Sequence, residues 1–354
     1  MWEQYATQLF AFEEGLTHHL ATASGPIEER RSAYLQRHQP PMPPEAEPPG
    51  AQFPQAALGT VFDAYYYRVI NTIGGQSQGA RAIPITTAMI EEAKGFTSQL
   101  LGVDLGEVPV ILVPWAEWDR SAEAFMQPAG SQPPHIFAPE AFNAPVELLC
   151  HELAHAAHTL TGHRSGDPMK VLRPTVSAEF VAHSVQYRYL LERQGVTAFA
   201  YALGQMTTAM YALAIYSYCL ECGDPGLQRL GASLEGFLDS PQATPFHEAL
   251  PVDVLTRQHH VFAKDPANLV SEMQRAAGIV MALELCENTE GLREYIRLDT
   301  LSAPIAETVQ TAFGKDLDLV FKDAEGAFDR LLCQFYIKRR NRMFSPKRRS
   351  SGHA

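Results

Sequence analysis

The sequence predicts an α+β fold that is mainly helical, with a small N-terminal sheet followed by a helical lobe. Three observations predict it. Only two stretches, VPVILVP (108–114) and HIFAPE (135–140), read clearly as extended. Beyond Asn143 apolar residues recur at helical spacing almost without a break. An apolar fraction of 46% against 19% charged residues supports a sizeable core and excludes disorder over most of the 354 residues.

Taken in chain order, residues 1–36 alternate apolar and polar positions at helical spacing and form an N-terminal helical segment. A linker over 37–58 follows, because seven prolines between Pro40 and Pro54 forbid regular hydrogen-bonded structure. The main domain then spans 59–340, with a sheet lobe over 59–160 and a helical lobe over 161–340. From Ile83 a helix of about sixteen residues runs through IEEAKGFTSQLL. After the two extended pieces, helices are expected over 144–160, 174–194, 197–221, 225–238, 267–287, 302–313 and 324–340, broken by Gly, Pro and Asp clusters. Val196 to Leu220 carries no charge, but Gln205 and many Ala, Ser and Thr dilute it, so it reads as a buried helix rather than a membrane span.

The balance of 28 Lys plus Arg against 40 Asp plus Glu gives a net charge of −12, which disfavours nucleic acid as a partner. The end of the chain reverses that sign. Lys338, Arg339, Arg340, Arg342, Lys347, Arg348 and Arg349 lead into a basic, disordered tail over 341–354 that could touch an anionic surface. Five cysteines are too few and too scattered for a disulfide framework, and Cys219-x-x-Cys222 has no second pair at zinc-ribbon spacing. The N-terminus lacks a basic leader, an apolar run and a small-residue cleavage pattern. The expected location is therefore cytoplasmic, or outside the cell by export without a cleaved signal.

Chemistry concentrates in VELLCHELAHAAH, 146–158. On a helix His151 and His155 lie about 40° apart around the axis and one turn apart along it, so both imidazoles can reach one ion. Asn143 or Ala144 begins this helix, with Pro145 in its first turn where a missing N–H costs nothing and Glu147 near the positive end of the dipole. Glu152 follows the first histidine and is the natural general base for a metal-activated water. A catalytic zinc takes a third protein ligand. The position six residues past His155 holds Thr161, whereas Glu179, near the start of the helix opened by Pro174 or Thr175, offers a carboxylate twenty-four residues on.

These residues resemble those of the gluzincin metallopeptidases, in which a His-Glu-x-x-His helix and a glutamate from the next helix bind zinc. HELAHAAH, its spacing to AEFVAHS and the helical surroundings look most like the thimet oligopeptidase and oligoendopeptidase F branch, clearest over 134–194. A weaker similarity runs through GLREYIR and AFGKDLDLVF, 291–321, to the closing helices of short bacterial gluzincins. The resemblance implies a zincin-like fold and one Zn2+ on His151, His155 and Glu179, with Glu152 as base and a peptide or protein as substrate. The tyrosine-rich Gly-Tyr motif of oligoendopeptidases is absent. Where thermolysin-like relatives place a carboxylate that orients a zinc histidine, this chain has His183.

For the oxyanion donor the candidates are Tyr187, expected on a face with Glu179 and His183, and His259 and His260, expected in a loop. His158, one turn beyond His155, is a possible orienting partner or alternative ligand, and His163 and Asp167 fall in the following loop. A substrate is expected to lie antiparallel to an edge strand at 135–139. Two rival functions share these residues: an inactive binding or effector protein on the same fold, and a metal-dependent amidase acting on a non-peptide substrate.

Overall fold

A computed structural model describes residues 1–44, 48–60, 62–75, 80–119, 124–193, 195–223 and 236–344. The chain opens with two helices, α1 (Trp2–Thr22) and α2 (Ile27–Leu35), and then passes through short 3-10 turns at Pro49–Ala51 and Gln55–Gly59. The prolines of this stretch each remove a backbone donor and so interrupt longer helices. Asp63 then caps α3 (Ala64–Gly74), its carboxylate accepting the Tyr65 N–H at 2.7 Å.

A two-residue strand, β1 (Ile83–Pro84), precedes α4 (Thr87–Leu101), so the helix expected from Ile83 starts four residues later, at Thr87, capped by Thr86, whose hydroxyl accepts the Met89 N–H. Gly102, at φ +70°, ends it in the left-handed region. Three strands follow: β2 (Val110–Val113), β3 (Phe125–Ala129) and β4 (Gln132–Pro139), in the order β2-β4-β3. β2 is parallel to β4 with Val110 opposite Ile136, and β3 is antiparallel to it with Met126 opposite Ile136. A last short strand, β5 (Ala141–Phe142), pairs with β1.

The expected edge strand at 135–139 is therefore the central one, hydrogen-bonded on both sides. The edges are β2 and β3, and on the cleft side it is β3, whose sequence FMQPA does not alternate clearly. Pro128 has no N–H to give a second neighbour, which suits an edge position. Part of that edge is covered: α1 packs on β3, Thr17 Oγ1 donates to the Pro128 carbonyl at 2.7 Å, and the turn after β3 touches Phe10. Gly130 makes this approach possible, since a Cβ there would stand 2.3 Å from the Phe10 carbonyl oxygen.

Among the described residues the remainder is mainly helical: α5 (Pro145–Ser165), α6 (Pro168–Val171), α7 (Thr175–Arg193), α8 (Val196–Glu221), α9 (Thr244–Ala249), α10 (Val252–Lys264), α11 (Pro266–Leu285), α12 (Thr289–Leu298), α13 (Ile305–Phe313), α14 (Leu317–Lys322) and α15 (Ala324–Phe344). Most of the helix expected at 225–238 lies outside the described residues, as does the tail beyond 344. Lys338, Arg339 and Arg340 belong to α15, and His259 and His260, expected in a loop, belong to α10.

One extended apolar core joins the sheet to these helices. α5 packs on β3, β4, α4 and α7, while α11 packs on both α7 and α8. Among the described residues α8 is the one helix long and apolar enough to cross a membrane, yet 61% of its most apolar window is buried inside the molecule, against α3 and α11. The α7–α11 contact is unusually close. A Cβ on Gly278 would stand 2.7 Å from Glu179 Cβ and from the Phe180 amide nitrogen, so glycine lets the two backbones meet where Glu179 projects.

Candidate active site

Pro145 at the first turn and Gly166 at φ +68° bound α5, a helix whose buried Leu148, Leu149 and Leu153 fix its rotation against the core. That rotation sends His151, Glu152 and His155 to one side, into a cleft of about 300 Å³. The facing wall comes from α7, which contributes Glu179, His183 and Gln186. α8 adds Tyr201 and Gln205, α11 adds Arg275, and β3 with the residue before it adds Ala124, Phe125 and Met126.

Within the cleft His151 Nε2 and His155 Nε2 are 3.3 Å apart, and each is 3.8 Å from an oxygen of Glu179. His183 Nε2 is 3.4 Å from Glu179 Oε2. The donor atoms of His151, Glu179 and His183 all lie within 4.8 Å of one another. Imidazole nitrogens with a carboxylate are a donor set that zinc accepts. Glu179 Oε2 and His183 Nε2 are buried without a hydrogen-bond partner, which is costly unless a cation or proton fills the space between them. The cluster His151–Glu179–His183 can thus hold a metal, with His155 beside it.

The electrostatics favour an ionised carboxylate among neutral imidazoles. Burial, then the neighbouring His183 and His155 rings, push the His151 pKa well below the ordinary histidine value; burial is also the main cause of the lowering at His155. For Glu179 burial works in the opposite direction but is outweighed by His183, Arg275, His155 and His151, so its carboxyl stays well below the usual range. Arg275 Nε stands 3.5 Å from Glu179 Oε2 while its Nη1 pairs with Glu272 at 3.0 Å. Glu152 is buried, and its Oε2 accepts the Met126 N–H at 2.8 Å, which ties it to the edge strand.

The structure brings His151, Glu152, His155 and Glu179 together in one cleft. The two expected oxyanion donors are not at the cleft. Tyr187 is fully buried beside the His183 ring and does not line the cavity, and His260 is exposed on α10. The reason for Tyr187 is helical phase: eight residues past Glu179 is about 80° round the axis, whereas seven, the place of Gln186, is about 20° away. His158 turns away from the cleft cluster and places Nε2 3.0 Å from Asp299 Oδ2. His163 ends α5 and packs edge-on against Phe10, and Asp167 caps α6 through the Met169 N–H at 2.9 Å. What the sequence reading missed is Gln186, Tyr201, Gln205 and Arg275. Tyr201 and Gln205 had a signal, two hydrogen-bonding groups four apart in a chargeless helix, and Gln205 Nε2 donates to Tyr201 OH at 3.2 Å.

The fold that carries this cleft is shared with peptidases. The chain matches a candidate peptidase from Chlamydophila abortus with a TM-score of 0.52 at 12% identity, covering 95% of this chain and 63% of that one, so it spans less than two thirds of that protein. It matches PZ peptidase A, solved with an inhibitor, with a TM-score of 0.56 at 11% identity over 94% of this chain and 75% of that one. A candidate oligoendopeptidase F gives 0.51 at 11% identity over 95% and 74%. No family model matches the sequence, and no curated protein does.

Proposed function

We propose that the chain is a zinc-dependent peptidase of the gluzincin type, in which His151, His155 and Glu179 hold one zinc ion and Glu152 is the general base. The observation that carries this reading is the convergence of these four side chains, from α5 and α7, on one cleft of a fold shared with peptidases. When bound, zinc supplies a Lewis acid that lowers the pKa of water and polarises a scissile carbonyl. Glu152, held by the Met126 N–H, takes a proton from the attacking water and returns it to the leaving amine. Arg275 keeps Glu179 ionised. Tyr201 is the cleft-lining phenol and takes the role of oxyanion donor in place of Tyr187 and His260.

The substrate lies along β3 rather than β4, because β3 is the edge strand whose residues line the cleft. With α1 over its far end and a volume of about 300 Å³, the cleft suits a short extended peptide better than a folded protein. The test is a peptide-library digest read by mass spectrometry, comparing wild type with Glu152→Gln. Cleavage is expected to fall by about 10²–10⁴-fold while zinc content is unchanged. Cleavage by Glu152→Gln at the wild-type rate would remove the base from Glu152 and with it this mechanism.

A further inference from the structure

Three buried side chains and the partly buried His151 form a chain of hydrogen bonds whose polarity can be worked out. Gln186 Nε2 donates to Glu147 Oε1. Gln186 Oε1 lies 2.7 Å from His183 Nδ1 and 3.3 Å from His151 Nδ1. Gln186, Glu147 and His183 are each no more than 2% exposed, so water does not substitute for these contacts. With Glu147 ionised its carboxylate only accepts, so the amide turns its NH2 toward Glu147, which leaves its oxygen toward both rings. An amide oxygen also only accepts. Both Nδ1 atoms must therefore carry hydrogen, and the neutral form of each ring has its lone pair on Nε2.

Those two Nε2 atoms face one carboxylate oxygen, Glu179 Oε2, at 3.8 Å from His151 and 3.4 Å from His183. We propose that Gln186, oriented by Glu147, is the positioning residue that keeps the proton of His151 and His183 on Nδ1 and so turns both Nε2 lone pairs toward Glu179. One neutral amide serves two imidazoles here, in a place where an orienting carboxylate would serve one. The helix supplies the spacing: His183, Gln186 and Glu179 are i, i+3 and i−4 on α7, and His151 meets them from α5. The hydrogen bonds stand without the metallopeptidase reading, while their use in metal affinity rests on it.

The experiment is a long-range proton–nitrogen correlation spectrum of histidine-labelled, metal-free protein at alkaline pH, with zinc affinity measured separately by chelator competition. Signals are assigned with His151→Asn and His183→Asn. Wild type is expected to show both rings as the Nδ1–H tautomer. Gln186→Leu is expected to lose that pattern and to bind zinc about 10–100-fold more weakly. The exchanged pair, Glu147→Gln with Gln186→Glu, still offers an acceptor to both rings and a donor between the two positions, so it is expected to keep the pattern and most of the affinity. It also guards against a Gln186→Leu variant that fails to fold. Nε2–H tautomers in wild type, or a Gln186→Leu protein with unchanged spectrum and zinc affinity, would overturn the proposal. Nδ1–H tautomers in a wild type that takes up no zinc would uphold the positioning and sink the metallopeptidase reading.

Discussion

Two buried polar clusters lie along the same helix, α5, and they have opposite characters. At the cleft, His151, His155 and His183 gather 3.4–3.8 Å from the Glu179 oxygens, with about 300 Å³ of space beside them. One turn on, His158 is set 3.0 Å from Asp299, whose other oxygen accepts the Ser177 hydroxyl at 2.9 Å, with Tyr295 on Ser177 and the Arg173 guanidinium nearby. In the second cluster one imidazole meets the carboxylate, and a guanidinium supplies the positive charge. Its ionisation is defended much as that of Glu179 is, burial being outweighed by His158, Arg173 and Ser177. A histidine and an acid on adjacent helices therefore do not by themselves make a metal site. What separates the two clusters is the donor set and its spacing: three imidazole nitrogens stand 3.4–3.8 Å from Glu179, whereas a single one stands 3.0 Å from Asp299, at hydrogen-bond distance, with Arg173 beside it.

The largest effect that sharpens this contrast is on stability. Asp299→Ala leaves Arg173 without its buried counter-charge and His158 without its acceptor, and is expected to cost about 3–5 kcal/mol in chemical denaturation. Zinc binding per folded molecule should be unchanged. A variant as stable as wild type would show that the second cluster is not structural.

Acid provides the next test. Burial, with Arg173 beside it, lowers the His158 pKa to about 4. The unfolded chain has the ordinary value near 6.5, so between these limits it binds more protons than the folded one and stability rises with pH. Acidification from pH ~6.5 to ~4 is thus expected to remove roughly 2–3 kcal/mol, measured as urea midpoints, and a His158→Gln protein should lose that part of the slope. An identical slope in the variant would assign it elsewhere.

The smallest expected change falls on the α7–α11 contact. Gly278→Ala inserts a methyl 2.7 Å from Glu179 Cβ and from a backbone nitrogen, which the helices can relieve only by moving apart. A cost of about 1–3 kcal/mol is expected, together with weaker zinc binding because the displaced residue is Glu179 itself. Lost stability with intact zinc affinity would mean that Glu179 adapts to the shift.

Sequence periodicity revealed much of this site because its parts are local. His151, Glu152 and His155 share one helix, so 3.6-residue geometry groups them, while Glu179 reaches them from α7 through the packing of α7 on α5. The same arithmetic, applied more strictly, separates Gln186 from Tyr187. The sheet was harder to read. That β4 is central depends on β2 and β3 flanking it, a nonlocal fact that the run HIFAPE does not encode. Strand β3 is short and contains Pro128, and a proline reads as an interruption until a free edge explains it. Arg275 and Asp299 reach their clusters from helices far along the chain, and nothing in their local sequence marks them.

Zinc content by elemental analysis on wild type, Glu179→Ala and His158→Ala tests the difference between the clusters most directly. The expected result is about one zinc per wild-type chain, most of it lost in Glu179→Ala and none lost per folded molecule in His158→Ala. A wild type that cannot be loaded with metal, or zinc that follows His158 rather than Glu179, would contradict the assignment of the cleft as a metallopeptidase site.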